Sequence, residues 1–105
     1  ALLSSRTTMS AGDGDRFVLS VEEHNVLVEA AFLTKGYTAE EAEAAARCAC
    51  AATWHGNTTH NAIKAIHLED LFGSGKGGCE PGAEIERVDE GRFKATQRWN
   101  ANRKM

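Results

Sequence analysis

Between residues 42 and 52 alanine stands at seven positions, Ala42, Ala44, Ala45, Ala46, Ala49, Ala51 and Ala52, with the small thiols Cys48 and Cys50 among them. Alanine is the best helix former, and its short side chain lets neighbouring backbones come close, so this stretch predicts a helix packed on more than one side. Thr38 with Glu41 three residues later forms a capping box and sets the helix over residues 39–53. The same signal appears upstream. Ser20 with Glu23 opens a helix over residues 21–35, in which Val21, Val28, Ala31 and Phe32, with Leu27 beside them, share one side. Gly36 suits the left-handed residue that ends it.

After the polar break His55-Gly56-Asn57-Thr58, residues 59–72 read as a third helix, with Ile63, Ile66 and Phe72 near one face and Leu68 and Leu71 broadening it. Gly73, Gly75, Gly77, Gly78 and Gly82, with the lone Pro81, then make a loop. No strand directly precedes it and Lys76 is followed by Gly77 rather than Ser or Thr, so it reads as a flexible connector and not as a phosphate loop. Ile85, Arg87 and Asp89 alternate with Glu84, Glu86 and Val88, Glu90-Gly91 offers a turn, and residues 92–99 read as the returning strand. No internal repeat is visible.

Two strands alone are marginal in water. The expected fold class is therefore α+β, a three-helix N-terminal bundle over residues 16–82 followed by the glycine-rich loop and a β-hairpin. That hairpin, residues 83–105, is expected to join a larger domain not included in this chain. Residues 1–15, rich in Ser and Thr with no acid before Asp13, are expected to be a disordered extension or a tag, with Met9 as a candidate native start.

A chain of 105 residues supports one domain or less. Twelve Lys and Arg against fifteen Asp and Glu give a formal charge of −3, which makes no whole-chain case for nucleic acid. A local basic patch remains at Arg92, Lys94, Arg98, Arg103 and Lys104. It reads as a solvated face or as a surface meeting the rest of the protein, with phosphate contact as the sharper alternative. No apolar run approaches the roughly 18 residues of a membrane span. Cys48, Cys50 and Cys79 make an odd count, and the first two diverge by about 200° on a helix, so a reduced, intracellular and cytoplasmic setting is expected.

Three of the four histidines, His55, His60 and His67, lie near the start of the third helix. The positive end of the helix dipole favours the neutral imidazole there, which makes His60 a candidate general acid as well as a candidate structural or merely exposed histidine. His60, Lys64 and His67 fall at i, i+4 and i+7 and are expected to share a face. Lys64 would place a cation where it could hold a substrate carboxylate while His60 meets the neighbouring carbonyl; the alternative is a solvated helix lysine. The spacings of His55, His60, His67 and Cys79 match no common zinc pattern, and no metal is expected. Cys48 and Cys50 lie in an apolar helix that should keep them inert as nucleophiles.

The stretch Ala52-Thr53-Trp54-His55-Gly56-Asn57-Thr58-Thr59-His60-Asn61 resembles the A-D-x-R-G-x-x-S-H-G segment of the malate/L-lactate dehydrogenase-like family, which includes ureidoglycolate dehydrogenase and diketogulonate reductase and is distinct from the Rossmann-fold lactate dehydrogenases. The order of elements agrees with that family's N-terminal segment over about residues 17–105. The resemblance implies that His60 is the proton donor to a substrate carbonyl, that Lys64 stands where an arginine binds the substrate carboxylate, and that Thr59 keeps the hydroxyl of the usual serine in the substrate site. It also implies NAD or NADP bound mainly by chain not present here, and a homodimer. His55 stands where arginine is common, Asn61 where glycine is usual, and Lys64 lacks the bidentate fork of arginine, which bears on substrate choice and on whether redox activity is kept.

The expected function is thus part of an NAD(P)-dependent oxidoreductase moving a hydride between a nicotinamide cofactor and a small 2-oxoacid or 2-hydroxyacid. Its expected partners are the remainder of the same polypeptide or a second chain and a small carboxylate substrate, with no nucleic acid and no membrane. One alternative is a chain of a proteolytically processed, repurposed hydrolase cleaved after Met105. Another is a non-enzymatic helical interaction module.

Overall fold

The computed structural model describes Thr8–Met9 and residues 17–105. Apart from Thr8–Met9, the expectation for residues 1–15 lies outside the described residues. In chain order the elements are β1 (Thr8–Met9), β2 (Phe17–Val18), α1 (Val21–Leu33), α2 (Ala39–Trp54), α3 (Ala62–Phe72), a 3₁₀ turn at Ser74–Lys76, β3 (Glu86–Arg87) and β4 (Trp99–Asn100). Strands β1 and β2 pair antiparallel, Thr8 opposite Val18, and so do β3 and β4, Glu86 opposite Asn100. The arrangement is a mixed α+β one, with three helices among the described residues. None of those helices is long and apolar enough to cross a membrane.

Both capping boxes form. Ser20 Oγ accepts from the Glu23 N–H at 3.1 Å while the Glu23 carboxylate accepts from the Ser20 N–H at 3.0 Å. Thr38 and Glu41 repeat the exchange at 3.2 and 2.9 Å. The first two helices also end alike. Gly36 (φ +95°) and Gly56 (φ +69°) take the left-handed conformation. The residues after them reach back to the last turn, Tyr37 N–H to Phe32 O and Asn57 N–H to Ala52 O, the latter at 2.8 Å. This is the Schellman ending, which satisfies carbonyls that the helix leaves orphaned. It delivers Tyr37 and Asn57 to fixed places.

The core lies where α1 crosses α2. Val28 and Phe32 of α1 bury against Ala42 and Ala46 of α2, and the Tyr37 ring stands edge-on to Phe32 with centroids 5.7 Å apart. The alanines do what their size predicts: Ala42 and Ala46 are wholly enclosed, and Ala62, Ala65, Ile66 and Cys79 pack in from the α3 side.

Four expectations need correction. Helix α3 begins at Ala62 rather than Thr59, because the Asn61 side chain caps it by accepting the Lys64 N–H at 3.0 Å. Its predicted apolar face is buried only at Ile66: Ile63 is 80% and Phe72 65% exposed, and Ile66 packs inward together with Ala62, Ala65 and the carboxylate of Glu69. Val21 and Leu27 of α1 are likewise exposed. Residues 92–99 do not form a returning strand, since pairing stops at Trp99–Asn100 and a Val88 N–H to Arg98 O bond. The cause is Asp89, whose carboxylate accepts from the Arg87 guanidinium and from the backbone N–H groups of Gly91 and Arg98 at 2.7 and 2.9 Å. Those contacts hold its pKa down to about 2, the Arg87 guanidinium first among them. Once a side chain has taken those donors, a ladder through them cannot form.

Candidate functional site

His60 sits in the short turn between α2 and α3, ahead of the Asn61 cap. Three side chains meet there. The Asn57 Oδ1 accepts from the Thr59 backbone N–H at 2.9 Å and from the Thr59 hydroxyl at 2.8 Å. The His60 Nδ1 lies 2.7 Å from Thr59 Oγ1 and 3.4 Å from Asn57 Oδ1. This half of the imidazole is therefore tied to the turn. Residue 60 as a whole is exposed.

The same histidine lines an open groove of about 560 Å³ between α2 and α3. Ala44, Ala45 and Ala49 of α2 form one wall and Ala65, Leu68 and Phe72 of α3 the other, with Cys48 and Cys79 also reaching it and Lys104 and Met105 at one side. The small residues that make α2 packable leave this volume open on the side where α3 does not fill it.

Three glutamates also line the groove, exposed Glu40 and two buried ones, Glu41 and Glu69, whose carboxylates are both occupied. Glu41 is 4% exposed and accepts from Lys104 Nζ at 2.9 Å and from the Gly82 N–H at 3.0 Å besides closing its capping box. The ammonium of Lys104, with the Thr38 and Gly82 N–H groups, outweighs burial and holds its pKa down to about 2. Lys104 also donates to Ala83 O at 2.8 Å. Glu69 is 8% exposed and accepts from the Tyr37 hydroxyl at 2.6 Å, from Ser74 Oγ at 2.6 Å and from the Ser74 N–H at 2.8 Å. Burial pushes its carboxyl up, but the Ser74 and Tyr37 donors and the Lys35 charge win, so its pKa lies below the ordinary value. Both carboxylates are anchors for loops, with their lone pairs already used.

The predicted site residues are only partly gathered. Lys64 and His67 lie on α3 and neither lines the groove, whereas His60 lies outside the helix and does. The expected common face of His60, Lys64 and His67 is therefore absent. Its cause is the Asn61 cap, which breaks the helical spacing between His60 and Lys64. Thr59 keeps a hydroxyl, and that hydroxyl is engaged by Asn57 and His60. Among the described residues no three His, Cys, Asp or Glu side chains gather closely enough to hold a metal ion. Cys48 is exposed rather than packed away, because it points from α2 toward the groove instead of into the α1 contact. Lys104 and Arg103, read as part of a solvated basic patch, are instead paired with Glu41 and Glu80.

The glycine-rich loop does not fit the phosphates of a dinucleotide. Its Ser74 N–H is bonded to the Glu69 carboxylate and its Lys76, Gly77 and Gly78 N–H groups to the carbonyls of Gly73 and Ser74, and a buried anion there would repel a second one. Sequence reading missed Asn57, Tyr37, Glu69 and Asn61. For Asn61 a signal existed, since asparagine is among the strongest helix caps. For the Tyr37–Glu69 contact, which joins residues 32 positions apart, no local signal exists.

No family model matches the chain, and no curated protein or solved structure matches it.

Proposed function

We propose that this chain supplies the proton-transferring part of an NAD(P)-dependent oxidoreductase of the malate/L-lactate dehydrogenase-like kind, interconverting a 2-oxoacid and a 2-hydroxyacid with His60 as proton donor and acceptor. The observation that carries the reading is the His60 imidazole, held on its Nδ1 side by the 57–59 turn and lining an apolar groove. Reducing a carbonyl requires a hydride at carbon and a proton at oxygen, and an oriented histidine beside a groove of low polarity is suited to the second. Lys64, an exposed cation in the first turn of α3 that does not line the groove, is the carboxylate-holding residue the resemblance implies, and it would act from outside the groove as a point charge rather than a fork. The dinucleotide is assigned to a larger domain outside the described residues, reached through the β3–β4 hairpin. The exposure of Phe93 and Trp99 supports a covering surface there. The expected assembly is a homodimer, and the cytoplasm its compartment.

The test is reduction of a panel of 2-oxoacids by the protein joined to that domain, following NADH and NADPH oxidation with and without His60→Ala. A fall in turnover of about 10²- to 10⁴-fold in the variant is expected. Absence of both cofactor binding and turnover overturns the reading.

A second reading, a non-enzymatic interaction module, is favoured by the outward apolar side of α3, where Ile63 and Leu71 are exposed. It requires the 105 residues alone to be monomeric and cooperatively folded, which sedimentation and thermal denaturation would decide.

A further inference from the structure

We infer that Asn57 and Thr59 are positioning residues that lock the neutral His60 ring with its proton on Nδ1, leaving Nε2 as the atom that exchanges a proton. Its meaning for turnover rests on the proposed function, whereas the tautomer itself does not.

The assignment follows donor by donor. The Thr59 backbone N–H can only donate, so the Asn57 atom 2.9 Å from it is the carbonyl oxygen and the amide orientation is fixed. That oxygen can only accept, so the Thr59 hydroxyl 2.8 Å away spends its single proton there. Oγ1 then faces the ring 2.7 Å away with lone pairs alone, and Nδ1 must carry the proton between them. The opposite tautomer would turn the hydroxyl proton to Nδ1, setting Thr59 Oγ1 against Asn57 Oδ1 at 2.8 Å without a hydrogen between two acceptors. It would also leave the second acceptor contact, Nδ1 to Asn57 Oδ1 at 3.4 Å, unfavourable.

The support has a rigid footing. Asn57 is the residue whose N–H closes the Schellman ending of α2 on Ala52 O, and Gly56 at φ +69° makes that ending. On the other side Asn61 caps α3. The turn is thus clamped between two helix ends, and the ring inherits its orientation from them. When His60 is charged, its Nε2–H bond breaks, the new O–H bond forms on the acceptor, and Nε2 keeps the electron pair. The Nδ1–H bond stays intact throughout, donated to Thr59 Oγ1. An unrestrained imidazole in water favours the opposite, Nε2–H, form, so the turn is working against the intrinsic preference.

Nitrogen-15 NMR of the histidine-labelled protein, recorded above the histidine titration range and with His60→Gln to identify the resonances, reads the tautomer directly. The Nδ1–H form is expected to dominate at His60. Asn57→Ala and Thr59→Val should each move the ratio toward Nε2–H by about fivefold, the equivalent of about 1 kcal/mol for one hydrogen bond, while Thr59→Ser should preserve it. An Nε2–H majority in the unaltered protein, or ratios unmoved in both variants, overturns the inference. The two readings fail separately: turnover untouched by His60→Ala removes the proposed function, and the wild-type ratio alone decides the tautomer.

Discussion

Lys104 Nζ donates to Glu41 Oε1 at 2.9 Å, joining residues 63 positions apart and fastening the C-terminal turn to the first turn of α2. The Lys104 side chain is 28% exposed, whereas that of Glu41 is buried. Removing either partner leaves the other short of a charge-assisted bond. Glu41→Gln and Lys104→Met are each expected to cost about 2 kcal/mol and to lower Tm by roughly 10 °C. Thermal denaturation followed by circular dichroism checks both; a double variant no worse than either single one would show that the pair acts as a unit.

The same contact sets the acid limb. The Glu41 pKa is about 2 in the folded chain, below the ordinary glutamate value near 4.3, so the unfolded chain takes up the proton first as pH falls. Its contribution is full above about pH 5 and drains away between there and pH 2. Lys104→Met, which removes the largest cause of the shift, should flatten the Glu41 contribution to that limb in denaturation curves measured across this range.

Tyr37 is the chain's single tyrosine, so its ionisation can be followed without overlap. Burial first, and then its hydrogen bond to the Glu69 carboxylate, raises its pKa above the ordinary tyrosine value near 10. A group whose folded pKa is raised keeps its stabilising effect below the unfolded value and loses it as pH rises through the folded one. Tyrosinate absorbance should therefore appear late on alkaline titration and coincide with unfolding. An ordinary titration in the still-folded protein would contradict the contact. Tyr37→Phe is expected to cost about 1–2 kcal/mol, since Glu69 keeps both Ser74 donors.

What the chain makes legible is local. Ser20/Glu23 and Thr38/Glu41 announce two helix starts because the pairs that satisfy the first amides lie within one turn. The alanine run announces close packing because side-chain volume is read residue by residue. The β-hairpin misleads for a comparable reason: its alternation is present, but Asp89 captures the amides of Gly91 and Arg98 and the ladder loses to a side chain. His60 is recognisable as a residue type, yet its support is not. The Asn57–Thr59 bonds depend on where the α2 ending sets Asn57, and the groove depends on which side of α3 turns inward. There α3 buries Ala65 and Glu69 and leaves Ile63 out, because the Tyr37 and Ser74 donors compensate a carboxylate that hydrophobicity alone would expel.

Ala46 is wholly enclosed where α1 meets α2, and it belongs to the core with Val28 and Phe32. Leucine at this position would force the helices apart or drive neighbours off their rotamers. Ala46→Leu is expected to cost about 2 kcal/mol, read as a shift in the urea midpoint with little change in slope. Ala51, on an exposed part of the same helix, should accept leucine nearly without effect, and equal losses at both positions would contradict the assigned packing.

Gly56 couples fold and site most directly. Its φ of +69° lies where a side chain is strained, although open space surrounds the position a Cβ would occupy. Gly56→Ala should therefore cost about 1 kcal/mol through backbone conformation alone. It should also loosen the Asn57 N–H to Ala52 O bond that places the carboxamide beneath Thr59. The expected outcome is a small loss of Tm together with a shift of the His60 ring toward the Nε2–H form, measured on the same labelled sample. A full stability loss with an unmoved tautomer ratio would mean that the 57–59 turn holds its shape without the α2 ending, and the ring would then owe its orientation to the Asn61 cap alone.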